Sequence, residues 1–219
     1  MTQHFIRDLE NLKAGLLRLG SRVEEAIRKA TASLVDRRPD LAMEVVAGDA
    51  AIDDAEVDLE EDCLKIMALH QPVAGDLRFL VTALKVNNDL ERMGDLAVNL
   101  AERAREICAA PPLPVASTFP EMVDRVREMV QGSLDALIHT DEEAARRVLA
   151  ADDEVDDMHR ELFRSLEGAM ERDPSCIRNA IHHLSASRHL ERTADLATNI
   201  AEDVLFMARG EIVRHRPLP

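Results

Sequence analysis

Aromatic residues are almost absent from this sequence. It has five Phe but no Trp or Tyr among 219 residues. Strands favour aromatic and β-branched residues, whereas this chain draws its apolar content mainly from Leu, Ala, Met and Val in helix-favouring surroundings. We therefore predict an all-α fold.

Basic residues are also in short supply, with 27 Lys and Arg against 42 Asp and Glu, for a net charge of −15. Nucleic-acid binding depends on basic side chains that neutralise phosphates, and adsorption to an anionic membrane needs them too. Both classes of partner are therefore disfavoured. Metal cations and basic protein surfaces are the natural complements of so acidic a chain.

The chain has three cysteines, Cys63, Cys108 and Cys176, which are far apart and form no CxxC pair. This usage is typical of a reducing compartment rather than of disulfides or a thiolate zinc site. No run of about 18 apolar residues occurs, and no apolar segment follows Met1. We expect a cytoplasmic protein with no signal peptide and no direct insertion into a membrane.

Catalytic signatures are missing as well. The sequence contains no GxGxxG, GxxxxGK[ST], GxSxG or HExxH motif, and no nucleophile has a base beside it. We therefore expect a protein that is not an enzyme.

Apolar residues recur at spacings of three and four along six segments, which predicts six helices. Breaks are expected near Arg37–Pro39, at 70–75, at the Pro-rich segment 111–120, near Thr140 or Asp141, and at Asp173–Pro174. The Pro-rich segment favours a division into a first three-helix bundle (1–110), a linker (111–120) and a second three-helix bundle (121–219).

One segment of the third predicted helix returns in the sixth. Residues 84–104 and 184–204 share 10 of 21 positions. The shared residues include the acidic pair Glu91 and Asp95, which returns as Glu191 and Asp195. Asn99 and Asn199 follow one turn later, on the same helix face.

The second and fifth predicted helices carry a further matched pair, at an offset of 103. Asp49 and Asp53 correspond to Asp152 and Asp156. Because consecutive helices joined by a short turn pack antiparallel, the pairs of each half are expected to face one another. Four carboxylates would then converge in each bundle.

Converged carboxylates repel each other, and a multivalent cation reverses that repulsion. We therefore predict a metal site in each bundle, with iron as the first candidate and zinc, manganese or magnesium as alternatives. Glu56 and His159 stand at equivalent positions one turn further on and could complete the sites, and Asn99 and Asn199 could support them.

Two simpler interpretations remain open. Chance alone gives roughly eight acidic pairs at a spacing of four in so acidic a chain, so a single pair indicates only a solvated face. Alternatively, Arg92 and Arg192 could neutralise the acids without any metal. The repetition of the pairs at matched positions is what favours metal binding.

The segment Glu91-Arg92-Met93-Gly94-Asp95 followed by Asn99 resembles the signature of the PhoU family of bacterial phosphate-uptake regulators. The duplicated architecture, the length and the mid-chain prolines resemble that family throughout. The resemblance implies acidic motifs that bind multinuclear metal clusters at Asp49/Asp53, Glu91/Asp95, Asp152/Asp156 and Glu191/Asp195. The second half departs from the pattern at Thr193 and Ala194, and at His159 opposite Glu56.

The resemblance also implies a function. It predicts a homodimeric negative regulator that acts between the ATPase of a Pst-type ABC phosphate transporter and a sensor histidine kinase. Two other functions are kept as alternatives. One is a ferritin-like di-metal carboxylate protein, and the other is a metal-free helical adaptor whose acidic ridge binds basic segments of a partner.

Overall fold

The structure of the chain is a computed structural model that describes residues 3–113 and 118–210. Within these residues it is helical and contains no strand, which confirms the all-α prediction. The helices are α1 (Gln3–Val35), α2 (Pro39–Gly48), α3 (Ala50–His70), α4 (Ala74–Ala109), α5 (Thr118–His139), α6 (Glu142–Arg172) and α7 (Ile177–Arg209), with a 3₁₀ turn (Pro174–Cys176) before α7.

The helix ends follow from local backbone chemistry. Asp141 precedes α6, and its carboxylate accepts hydrogen bonds from the backbone N–H groups of Glu143 (2.9 Å) and Ala144 (3.1 Å). Those N–H groups have no partner inside the helix, so the cap satisfies them. At the other end of α3, Gln71 adopts a left-handed conformation (φ 46°) and donates its N–H to Met67.

The second predicted helix is present as α2 and α3, which are separated at Asp49 alone. Asp49 keeps helical dihedral angles (φ −57°, ψ −52°), and its carbonyl still accepts the N–H of Asp53 at 3.2 Å. Gly48 precedes it, and Gly has a low helix propensity. The matched Asp152 lies in the uninterrupted helix α6, where Ala151 takes the place of the glycine.

Helices α1 to α4 form the first bundle and α5 to α7 the second. The most extensive helix–helix contact joins α4 to α7, so the two copies of the repeated segment pack against each other. One apolar core runs through both bundles. Burying each large aliphatic side chain contributes about 2 kcal/mol. The largest buried side chains are Leu12, Leu19, Leu80, Leu90, Met93, Ile107, Met122, Met129, Leu162, Leu166, Leu190 and Ile200.

The segment between the bundles is shorter than we predicted. Thr118 and Phe119 are buried and belong to α5, although the sequence placed them in the linker. On the α4 side, the amide of Asn179 donates to the carbonyl of Pro111 at 2.9 Å and so ties the start of the linker to α7. Residues 114–117 of the linker and 211–219 of the second predicted domain lie outside the described residues.

Candidate metal centre

The two acidic pairs of the first bundle lie close together across α3 and α4. Burial raises the pKa of Asp49, and the charges of Asp53 and Asp95 raise it further. The pKa of Glu91 is raised by burial and then by Asp95, Asp53 and Glu56, with Arg92 acting weakly in the opposite direction. We call Asp49, Asp53, Glu91 and Asp95 the first carboxylate site.

The second bundle repeats this arrangement across α6 and α7. Burial raises the pKa of Asp152 to about 6, helped by Asp195, Asp156, Asp153 and Glu191. The pKa values of Asp195 and Glu191 are likewise raised, first by burial and then by neighbouring carboxylates. We call Asp152, Asp156, Glu191 and Asp195 the second carboxylate site. The structure thus brings together the residues that the sequence paired.

The sites differ one turn further along the helix. In the first bundle the buried amide of Asn87 donates to both the backbone carbonyl (2.9 Å) and the carboxylate (3.0 Å) of Glu56. In the second bundle the matched contact joins His159 Nδ1 to the Ser187 hydroxyl at 3.0 Å. Sequence reasoning missed Asn87 and Ser187, although their offset of 100 equals that of the repeated segment.

His159 is suited to donate a lone pair. Burial lowers its pKa, while Asp156 acts in the opposite direction. A lowered pKa favours the neutral imidazole, the form of histidine that binds metals. The second site therefore offers a nitrogen donor where the first offers the carboxylate of Glu56.

The departure at Ala194 has a packing explanation. A Cβ atom on Gly94 would lie 3.1 Å from Cγ2 of Ile52 on α3. In the second bundle Val155 takes the place of Ile52, and Ala194 takes the place of Gly94. Val155 is one methyl group smaller than Ile52, and Ala194 is one methyl group larger than Gly94, so the two changes compensate in volume. Thr193 donates its hydroxyl to the carbonyl of His189 at 2.8 Å and stays within its own helix.

A groove of about 560 Å³ runs between α4 and α7, beside both sites. Each helix contributes the same arginine, aspartate and asparagine. The lining residues are Arg92, Asp95, Leu96, Asn99, Arg192, Asp195, Leu196, Thr198 and Asn199. Asp95 belongs to the first carboxylate site and Asp195 to the second, so both sites open onto one shared groove.

The arginines lie near the carboxylate sites but make no close ion pair with them. Within residues 3–113 and 118–210, none of the eight site carboxylates lies within ion-pair distance of a basic side chain. The nearest acidic partner of Arg92 is Asp89, at 3.9 Å. This arrangement disfavours the interpretation of the acidic face as an arginine-paired ridge.

The donor set suits a hard or borderline cation. Asp49 Oδ1 is buried and has no hydrogen-bond partner, although a buried carboxylate oxygen normally has one. In the part of the chain that the structure describes, no group of three Asp, Glu, His or Cys side chains is arranged closely enough to bind a metal ion.

No helix among the described residues combines the length and apolarity required to cross a membrane.

Two kinds of comparison agree on the relatives of this fold. The PhoU domain family model matches residues 16–104 and again 119–204, one match in each bundle. A phosphate-specific transport system accessory protein PhoU homolog of Aquifex aeolicus is 41% identical over 210 residues, which cover 96% of this chain and 95% of the relative.

Solved structures give the same result. The crystal structure of PhoU from Pseudomonas aeruginosa superposes with a TM-score of 0.92 at 35% identity, covering 94% of this chain and all of that one. The phosphate transport system regulatory protein PhoU from Streptococcus pneumoniae superposes with a TM-score of 0.89 at 27% identity, covering 95% of this chain and 99% of that one. With both bundles matched by the family model and its relatives matched over nearly their whole length, the chain belongs to the PhoU family.

Proposed function

We propose that this chain is a cytoplasmic, non-enzymatic regulator of phosphate uptake. It acts between the ATPase of a Pst-type ABC phosphate transporter and a sensor histidine kinase, and it holds phosphate-starvation signalling down when phosphate is plentiful. Membership of the PhoU family and the names of its relatives as phosphate-transport accessory proteins support the transport role.

The proposal includes a metal cluster at each carboxylate site. In the first bundle Asp49, Asp53, Glu91 and Asp95 hold it, with Glu56 as a further ligand and Asn99 as a hydrogen-bonding neighbour. In the second bundle Asp152, Asp156, Glu191 and Asp195 hold it, with His159 and Asn199 in the matching roles. One observation carries this proposal. At two matched places, carboxylates lie close enough to raise one another's pKa values.

The cations supply positive charge, and the side chains of the protein bind and position them. The carboxylates of two helices in each bundle are drawn together, and Asn87 or Ser187 fixes the adjacent side chain. Each bound cation therefore links α3 to α4, or α6 to α7. The family's clusters make iron the first candidate, and an all-oxygen first site also admits manganese or magnesium, whereas His159 admits zinc in the second.

Elemental analysis of protein purified without a chelating column tests the metal proposal. The double variant Glu91→Gln with Asp95→Asn should lose the metal of the first bundle and keep that of the second, with unchanged helicity. The control removes two exposed charges of α3 that do not face α4, Asp58→Asn with Glu61→Gln, and should keep the full metal content. Equal metal content in wild type and in both variants would remove the first site as a metal centre.

The regulatory role is tested in a phosphate-replete bacterium that lacks its own PhoU protein and carries a phosphate-starvation reporter. The wild-type chain should hold the reporter down, and removal of the sensor kinase should make the chain unnecessary. A reporter that stays high with soluble, folded chain present would contradict the role.

One observation supports the metal-free adaptor as a second candidate. As they stand, the described side chains do not converge into a three-donor group. That candidate predicts no stoichiometric metal in the elemental analysis together with full repression of the reporter. A ferritin-like oxidase would place its ligands inside one four-helix bundle, whereas each site here lies between two helices of a three-helix bundle. We expect no oxidation of Fe(II) by the purified protein.

A further inference from the structure

The outer face of α2 and α3 carries an apolar stripe, which we call the α3 stripe. It consists of Met43, Ala50, Val57 and Leu64, at intervals of seven residues. Met43 is 55% exposed, and Val57 and Leu64 are each 52% exposed. Residues seven apart lie on nearly the same side of a helix, with a drift of about 20° per interval. The stripe therefore lies opposite the buried residues of α3, which are Ile52, Leu59, Cys63 and Ile66.

The second bundle provides an internal comparison, because α6 occupies the matched place in the fold. At the same offset of 103 that relates the acidic pairs, α6 carries Arg146, Asp153, Arg160 and Glu167. Arg146 is half-buried and the other three are exposed. Four apolar positions in one copy are thus four charged positions in the other. The fold itself does not require apolar residues there.

Single exposed apolar residues are ordinary on protein surfaces. Apolar residues at every seventh position supply one of the two seam positions through which helices pack against each other. The divergence between the copies indicates that the α3 stripe is adapted to a covering partner that the α6 face lacks.

The charges around the stripe define that partner. By helical geometry, Asp53 and Glu60 flank the stripe on one side, and Asp54, Asp58 and Glu61 flank it on the other. Helix α3 has seven acidic residues and a single lysine, Lys65, which pairs with Glu61 at 3.2 Å. Two copies of this face brought together would place like charges along both edges, and an anionic membrane would be repelled in the same way.

We propose that the α3 stripe is a docking surface for an amphipathic helix of another protein, with apolar residues at heptad spacing and Lys or Arg on both flanks. The stripe spans 21 residue steps, so the partner helix contacts it over about 30 Å. Heptad spacing gives a shallow, left-handed crossing of about 20°. None of the four apolar residues of the stripe is a proposed metal ligand, although Asp53 at its edge belongs to the first carboxylate site.

The probe is a synthetic helical peptide of about 21 residues with Leu at the a and d positions and Lys or Arg at e and g. Its binding to the full-length chain is measured by fluorescence anisotropy at several salt concentrations. The control is a second peptide of the same composition, whose sequence is scrambled so that the heptad spacing is lost. It shows whether binding depends on that spacing or on charge alone.

The test variant gives the stripe the residues of its internal counterpart, Val57→Arg with Leu64→Glu. Its net charge equals that of the wild type. The control makes the same exchange at two exposed residues of the second bundle, Ile177→Arg with Ile181→Glu. Circular dichroism and thermal melting establish that both variants fold, which is expected because all four side chains are exposed.

We expect the peptide to bind the wild type and the control equally, to bind the test variant at least about tenfold more weakly, and to bind less tightly as salt rises. Equal binding of the scrambled peptide, equal binding of the test variant, or no binding to the wild type would each overturn the proposal. Concentration-dependent dimers of the wild type that disappear in the test variant would also overturn it, since the occupant would then be a second copy of the chain.

Discussion

The hydroxyl of Ser187 and the imidazole of His159 form a hydrogen bond across α6 and α7. Ser187 Oγ lies 3.0 Å from His159 Nδ1 and donates its own proton to the carbonyl of Leu184, also at 3.0 Å. When the hydroxyl proton is donated to Leu184, the contact with His159 requires the ring proton on Nδ1. Nε2 of a neutral His159 is then left with its lone pair for a ligand.

Ser187→Ala should therefore weaken zinc binding at the second carboxylate site. A hydrogen bond that fixes the tautomer of a ligating histidine contributes about ten- to a hundredfold in metal affinity. The affinity is measured by competition with a chromophoric chelator, in protein whose first site carries Glu91→Gln with Asp95→Asn. Ser165→Ala on α6 is the matched control, and an equal affinity in both variants would show that Ser187 plays no part in metal binding.

Gly94 and Ile52 should be energetically coupled. Gly94→Ala gains helix propensity but brings a methyl group 3.1 Å from Ile52, and overpacking of a core costs about 1–3 kcal/mol. Ile52→Val removes Cδ1, which would lie 3.3 Å from that methyl group, and keeps Cγ2, so it relieves the crowding in part. A double-mutant cycle by urea unfolding should give a favourable coupling of about 1 kcal/mol between the two changes.

The second bundle supplies the mirror experiment. Val155→Ile should destabilise the protein in the presence of Ala194, and Ala194→Gly should relieve much of that cost. Additive effects in both cycles would mean that the matched residues do not compensate each other.

Lys85 of α4 and Asp203 of α7 form an ion pair between the bundles. Lys85 Nζ lies 3.0 Å from Asp203 Oδ1, and Asp203 is only 2% exposed. Lys85→Met removes the ammonium group from a buried carboxylate, so the free energy of unfolding should fall by about 2 kcal/mol. Lys65→Met, which breaks exposed pairs on α3, should change it by about 0.5 kcal/mol at most. Denaturant unfolding measures both, and similar small losses would contradict a role for the pair in holding the bundles together.

In the metal-free protein, the contribution of Asp152 to stability should fall as the pH rises from about 4 to about 6. The pKa of Asp152 is raised from 3.8 to about 6 in the folded chain. In that window the folded state binds more protons than the unfolded state, so the free energy of unfolding falls with rising pH and levels off above the folded pKa.

Asp152→Asn should reduce this dependence and leave the part that comes from the other carboxyls of raised pKa. In protein treated with a chelator, the variant should be more stable than the wild type at pH 7, by about 1 kcal/mol after allowance for solvent screening. The difference should vanish near pH 4. With saturating divalent metal the order should reverse, because binding to the folded state stabilises the wild type. An identical pH profile for both proteins would exclude Asp152 as the titrating group.

The sequence was sufficient to predict the helical segments, the break near Thr140 or Asp141 and the matched acidic pairs, because each depends on periodicity, on local backbone chemistry or on the repeat. Asn87 was not predictable in the same way. A buried asparagine in a helix resembles any other polar residue until the packing shows that its amide reaches Glu56. Asn87 aligns with Ser187 at the offset of 100, but the two residues are of different types. The repeat therefore does not single out this position.

The groove between α4 and α7 was also beyond sequence reasoning. Both helices have an apolar stripe and an acidic face, and such a pattern identifies the side that is buried but not the helix that buries it. The separation of α2 from α3 at Asp49 was missed for a related reason. Gly48 in a long helical pattern costs about 1 kcal/mol of propensity, and only the surrounding packing decides whether the helix continues.

The contact between α4 and α7 makes the single chain a counterpart of a twofold dimer. In a true homodimer a substitution changes both halves together, so symmetry is preserved. Here the halves are covalently joined and separately encoded, so each is free to change alone. That freedom is visible in the nitrogen donor at His159 opposite the carboxylate at Glu56, and in the apolar stripe of α3 opposite the charges of α6. Covalent linkage allows one molecule to present two chemically different faces on a shared scaffold.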